Sequence, residues 1–375
     1  MALFSSLVTP LCLIDKNKLT ANVARMASVV EKSGLGFRPH VKTLKSIEAA
    51  ASYAPMSCPI TVSTLREARY FASAGYTDIL YAVGITPNKL SAVTALLSEG
   101  IHLCVVIDSM DSAKWLKQHT DDLAQPLRVL IELDVDDHRA GMSCQGNELV
   151  EVARCLSTGK GLVFSGVMAH AGASYDCYTR AQQRAMAEQE SMATTTAVET
   201  LLKAGFACDL VSVGSTPTVL AGIDYSPSRV NELRAGVYAT FDLVMADLQV
   251  CQPEDIALSV LTSVIGHQKE KNWVLIDAGW MALSRDKGSD RHGYGLVADS
   301  RGHILEGWYV SETNQEHGII KHKAGLPLPD DIFAFGQLLR ILPNHACATA
   351  GQFSHYQVTE DNESVTEVWG SAQGW

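Results

Sequence analysis

The sequence predicts a (β/α)8 barrel followed by a second domain that is mainly β. Three observations carry this. Eight short apolar runs alternate with helical patterns over roughly 230 residues, the count and size of such a barrel. No GxGxxG fingerprint follows the first of them, which counts against the rival arrangement, an open doubly wound sheet. Past residue 250 the texture changes to strand-like runs separated by turns, with almost no helical periodicity.

The chain opens with MALFSSLVTPLCLID, apolar enough for a signal peptide but lacking a positive n-region and an A-x-A cleavage site. Residues 1–14 therefore read as a strand, one that joins the C-terminal domain. In DKNKLTANVARMASVVEKSG, Leu19, Val23, Met26 and Val30 recur every three to four residues on one helical face, and Gly34 supplies the stop. The strand-like runs then follow: LGFRPHVK (35–42), PITVS (59–63), DILYAV (78–83), HLCVVI (102–107), LRVLIELD (127–134), LVFSGVMA (162–169), DLVSV (209–213) and NELRAGV (231–237). Between them LREARYFASAG, SMDSAKWLKQH and RAQQRAMAEQESMATTTAVETLLKAG read as helices, several opened by Ser or Thr and closed by Gly. The barrel is assigned to 15–250. The β domain, with IALSVLTSVIGH, NWVLIDAGWMALS and YQVTEDNESVTEVWG, is assigned to 251–375.

A chain of 375 residues, 47% hydrophobic and 19% charged, can build two cores. The net charge of −11, with no block of Lys and Arg, argues against nucleic acid or an anionic membrane as partner. Nine cysteines without a CxxC pair indicate neither a disulfide framework nor a four-cysteine zinc module, and fit a reducing cytoplasm. No uncharged apolar run reaches the roughly 18 residues of a membrane span.

In a (β/α)8 barrel the active site lies at the C-terminal ends of the strands. Those ends collect Lys42, then His138 and Arg139, His170 and Tyr175, Gly214, Ser215 and Thr216, and Tyr238. Lys42 in FRPHVKTLKS falls where a strand stops and a loop begins, which makes it a candidate nucleophile. The run VSVGSTPT can aim successive backbone N–H groups and two hydroxyls at one anion, where barrels often bind phosphate. The same run can equally be an ordinary turn that caps the next helix. A lysine, a phosphate cup and aromatic side chains on one rim point to pyridoxal 5'-phosphate held as a Schiff base on Lys42. In LPNHACATAGQF, His345 and Cys347 stand i, i+2 at the end of an apolar run read as a strand, where alternate residues project to one side. Imidazole plus thiolate suits zinc with positions left open, although a buried pair with no metal has the same spacing.

RPHVKTLKS, ITVSTLREA, LDVDDHRAG, VMAHAGASY, VSVGSTPT, ELRAGVY, VLIDAGWMALS, NQEHG and LPNHACAT together resemble the fold-type III pyridoxal-phosphate enzymes of the D-serine dehydratase and D-threonine aldolase group, along essentially the whole chain. The resemblance implies an alanine-racemase-like barrel with Lys42 carrying the cofactor. It implies that Gly214, Ser215 and Thr216 hold the phosphate and that Tyr175, Tyr238 and Arg139 lie around the ring. It places a divalent metal, zinc or manganese, on His345 and Cys347, and implies a homodimer with a small D-amino acid as substrate. His170 is taken to pack beneath the cofactor and His40 to support Lys42 or the ring. The implied reaction is β-elimination from D-threo-3-hydroxyaspartate or D-serine to a 2-oxo acid and ammonia, with Lys42 as general base and the metal as Lewis acid. The near rival is a D-threonine-type aldolase, which would give glycine and an aldehyde; Cys347 speaks for dehydration, since the aldolase branch more often shows Asp there. An amino-acid racemase would need a second base and no metal, and a non-catalytic cofactor carrier would need neither the second domain nor the HAC motif. His317 in NQEHG reads as either a pocket or a loop residue, Asp277 and Gly279 as a tight strand end with a structural role. Arg285 is one guess for the reader of a second substrate carboxylate.

Overall fold

The computed structural model describes residues 2–329 and 333–375. The chain falls into two compact units: one holds Arg25–Lys42, Ala50–Gly236 and Gly374–Trp375, the other the N-terminal stretch to Ala24, Thr43–Ala49 and Val237–Gln373.

Among the described residues of the first unit, eight parallel strands form one row, Gly36–Phe37, Ile60–Val62, Asp78–Gly84, His102–Ile107, Leu127–Asp134, Leu162–Ala169, Leu210–Val213 and Glu232–Leu233, and the two-residue strand Met142–Ser143 pairs with Leu127–Asp134 off that row. Counted one to eight in chain order, they lie in the row 1-8-7-6-5-4-3-2. The gap between strands one and two is bridged by His40 and Thr61. There the Val41 N–H donates to the Thr61 carbonyl at 3.0 Å and the Thr61 N–H to the Pro39 carbonyl at 2.9 Å. Strands one and eight are only two residues long. In LGFRPHVK the cause is Pro39, which has no N–H to give to a ladder, so Lys42 stands in a turn rather than on a strand. Arg38 reinforces this thin wall, pairing with Glu232 of strand eight and Asp78 of strand three at 2.9 Å each. Leu80, Cys104, Val106, Leu130, Met168 and Leu210 pack as one buried cluster of strand residues. The helices open on caps that the sequence supplies: Thr64, Ser109 and Thr179 accept the N–H of Glu67, Ser112 and Gln182.

The second unit is a nine-stranded sheet in the order Trp273–Ile276, Gly318–His322, Ile304–Thr313, Leu296–Asp299, Leu338–Leu342, Leu258–Gln268, Leu11–Asp15, His355–Thr359 and Glu367–Gly370. Trp273–Ile276 pairs with Leu258–Gln268 as well, so the sheet curls on itself over Val260, Ile276, Val297, Val310 and Ile341. Leu11–Asp15 runs antiparallel to Leu258–Leu261 and parallel to His355–Thr359. The boundary between the units falls at Val237 rather than near residue 250. The reason is backbone pairing: Leu243 and Val244 donate to Pro343 and Asn344 at 3.1 Å, and Ala257 donates to Thr240 at 2.8 Å. Tyr238 accordingly belongs to the second unit. No helix among the described residues is long and apolar enough to cross a membrane.

Candidate active site

At the C-terminal rim of the barrel, Lys42 is half-buried. A Cβ on Gly236 would crowd His40, 3.3 Å from its Cβ and from its backbone oxygen, and would stand 3.8 Å from the Lys42 Cε, an ordinary contact. His40 Nε2 lies 3.4 Å from the Ser63 hydroxyl, and its buried Nδ1 has no hydrogen-bond partner among the described residues. Burial, then the charges of Lys42 and Arg234, hold the His40 pKa well below the ordinary histidine value. His170 Nδ1 donates to the Gly214 carbonyl at 3.1 Å, and burial pushes its pKa down to about 3. Lys42 therefore has two neutral imidazoles on its own unit.

The turn after strand seven does two jobs. Gly214 has φ +123°, and a Cβ there would meet the Arg234 carbonyl at 2.5 Å, so only glycine fits. Its N–H goes to Glu190 Oε1 at 3.2 Å, and the Ser215 N–H goes to the Thr218 hydroxyl at 2.9 Å. Ser215 Oγ takes the Thr218 N–H and shares a 2.9 Å hydrogen bond with Ser174. The run is thus a capping box for Thr216–Leu220. The amides of Gly214 and Ser215, read from the sequence as aimed at an anion, are spent inside the protein. What remains is the Thr216 hydroxyl, buried with no hydrogen-bond partner among the described residues. The Thr216 N–H, at the first helical position, has no intrahelical acceptor either.

Arg139 is exposed, with Nη2 at 3.4 Å from Glu132 Oε1. Tyr175 is half-buried in the 3-10 turn Gly172–Asp176, and His138 packs against Gly172 so closely that a Cβ there would lie 2.2 Å from its ring. Arg234 was not singled out from the sequence. Its guanidinium is buried, Nη2 donates to the Ala169 carbonyl at 2.6 Å, and Nη1 has no hydrogen-bond partner among the described residues. An arginine just past the Leu233 strand end was the available signal. Unsatisfied donors on Thr216 and Arg234, each buried at a cost of about 1–3 kcal/mol, suit a bound anionic group with ring and phosphate acceptors.

In the second unit the HAC motif is not on a strand. The strand stops at Leu342, Pro343 follows, and His345 is the N-cap residue of the helix Ala346–Ala350. The i, i+2 pair meets across this turn instead of along a pleat. His345 Nδ1 is 2.7 Å from Asp286 Oδ2, which leaves Nε2 as the nitrogen that could meet a ligand. Asp242, buried, accepts the Ala346 N–H at 2.9 Å and the Met245 N–H at 3.0 Å. Asn344 ties down the Asp286 loop through the Asp286 and Gly293 carbonyls, at 3.2 and 2.8 Å. The Cys347 sulfur lies 3.2 Å from the hydroxyl of Thr43, the residue joined to Lys42 by a peptide bond. Burial opposes charge on His345, but Asp286 and then Cys347 outweigh it and raise its pKa to about 11. An imidazole and a thiol are the donor types that suit zinc, once each has given up its proton. No group of three or more His, Cys, Asp or Glu suited to a metal occurs among the described residues. Asp286 lay outside sequence reasoning because 59 residues separate it from His345.

His317 is exposed in a loop closed by its carbonyl and the Asn314 N–H at 2.8 Å. Asp277 accepts from the Thr262 hydroxyl and the Ser263 N–H at 2.6 and 2.9 Å, a structural role. The Arg285 guanidinium stacks 4.1 Å from the Trp280 ring centroid.

Residues 14–243 match the family of the alanine racemase N-terminal domain, and residues 257–359 match a putative serine dehydratase domain. The chain is 44% identical over 378 residues to D-threo-3-hydroxyaspartate dehydratase of Delftia sp. (strain HT23), covering 99% of this chain and 98% of that one. It is 28% identical to D-serine dehydratase of Dictyostelium discoideum, again over 99% and 98%. Solved structures of D-threo-3-hydroxyaspartate dehydratase, one from Delftia sp. HT23 and one a mutant in the metal-free form, each match with a TM-score of 0.96 and 42% identity over 100% of both chains.

Proposed function

We propose that this chain, which belongs to the alanine racemase N-terminal domain family in the form that carries a serine dehydratase domain, dehydrates D-3-hydroxy amino acids, with D-threo-3-hydroxyaspartate as first substrate and D-serine as second. It is a lyase of the ammonia-releasing kind. Pyridoxal 5'-phosphate is the cofactor expected of this fold family, and when bound it supplies an electron sink for the carbanion at the substrate Cα. Lys42 would carry it, with the Thr216 hydroxyl and N–H toward the phosphate and the Arg234 Nη1 as a further buried donor. Lys42 is the amine that removes the α-proton, and the neutral His40 and His170 keep extra positive charge away from it.

His345 and Cys347 would hold a divalent metal, zinc by the chemistry of the donors, which would supply Lewis acidity for the departing β-hydroxyl. Asp286 orients the imidazole and Asp242 fixes the first turn of the helix. The product leaves as a 2-oxo acid and ammonia. One observation carries this reading: His345, held by a carboxylate on Nδ1, stands beside a cysteine whose sulfur touches the residue next to Lys42. The experiment is product analysis after adding D-threo-3-hydroxyaspartate to protein supplied with pyridoxal phosphate and zinc. Oxaloacetate and ammonia support dehydration; glycine and glyoxylate would replace it with retro-aldol cleavage.

A further inference from the structure

One buried carboxyl has no part in the chemistry above. Glu190 lies midway along the helix Arg180–Lys203 and is fully buried. Its Oε1 accepts two backbone hydrogen bonds, from the Ala171 N–H at 2.9 Å and the Gly214 N–H at 3.2 Å. Ala171 follows His170 after strand six, and Gly214 opens the turn after strand seven. A single oxygen thus joins two rim loops. His170 closes the circuit by donating to the Gly214 carbonyl at 3.1 Å. Both backbone polar groups of Gly214 are therefore held from outside the turn. This matters because a glycine at φ +123° has no side chain to restrict its torsions, and the residues that follow it aim the Thr216 hydroxyl.

We infer that Glu190 is a positioning residue for cofactor phosphate: it locks Gly214 against the Ala171 loop and so sets the direction of Thr216. The inference rests on the reading that Thr216 meets the phosphate. Burial raises the Glu190 pKa against the pull of its two N–H donors and of Arg234. What the two N–H groups take from it is one oxygen acceptor, which an amide side chain also offers.

The test titrates the cofactor-free protein with pyridoxal phosphate and, separately, with pyridoxal, which has no phosphate. Thr216→Val and Glu190→Ala should each weaken pyridoxal phosphate on the order of tenfold and leave pyridoxal unchanged, as expected for loss of about one buried hydrogen bond. Glu190→Gln keeps an oxygen acceptor and should stay within about twofold of wild type. Where Glu190→Ala does not fold, Glu190→Asp, which withdraws the carboxyl by one methylene, carries the same expectation. If Thr216→Val weakens pyridoxal phosphate but Glu190→Ala and Glu190→Asp do not, the positioning role is wrong. Equal weakening of both ligands would also overturn it, since that is what a general structural pin does. An unchanged Thr216→Val would remove the phosphate reading itself.

Discussion

The barrel rim and the HAC turn are built on opposite electrostatic plans. At the rim the imidazoles are kept neutral by burial, with His170 at about 3, and two donors on Thr216 and Arg234 lack partners among the described residues. At the turn, carboxylate and thiol raise the His345 pKa to about 11. The first arrangement offers donors to an anion, and the second gathers an imidazole and a thiol of the kind that suits a cation. The two sets of donors are separate, so each group is expected to be removable while the other stays.

The largest expected effect comes from Lys42→Ala. It should abolish the visible absorbance of bound cofactor and lower turnover on the order of 10³-fold or more, the usual scale for loss of a general base; an unchanged spectrum would refute the assignment. Next is Cys347→Ala, which should lose bound metal and ammonia release together while the cofactor spectrum persists, as read by metal analysis and absorbance on one sample. Loss of both groups would break the independence of the two regions. Asp286→Asn comes third. It leaves both ligands in place but removes the orienting carboxylate, so metal affinity should fall roughly 10–100-fold, with activity recovered by excess metal.

The smallest effect is on acid stability. His170 has a folded pKa of about 3, depressed by burial from the ordinary 6.5. Its neutral form is favoured by folding, so the contribution is complete above pH 6.5 and is lost as pH falls from 6.5 toward 3. His170→Asn should therefore flatten the acid limb of a melting-temperature profile relative to wild type; a parallel limb would show that His170 does not titrate on unfolding.

Much of this was legible from the chain. The eight runs of the barrel come from apolar alternation, and Lys42 and the GST run from their places at strand ends. The His345–Cys347 spacing was readable too, but not its geometry, because Pro343 ends the strand one turn before a pleat can act. The GST amides were misjudged since the same Ser215 and Thr218 that look like an anion cup also satisfy each other as a capping box. Asp286 and Glu190 were not found because their partners are set by long-range packing, whereas Arg234 carried a local signal in its place just past the Leu233 strand end. No local pattern brings residue 190 to both 171 and 214.

The most direct test of the account is to treat the holoenzyme with a chelator, add D-threo-3-hydroxyaspartate, and follow the cofactor absorbance and ammonia on the same sample. Substrate should still shift the absorbance, ammonia should be absent, and zinc should restore it. Full ammonia release from the metal-free protein would contradict a metal role for His345 and Cys347, and with it the division of labour between the two regions.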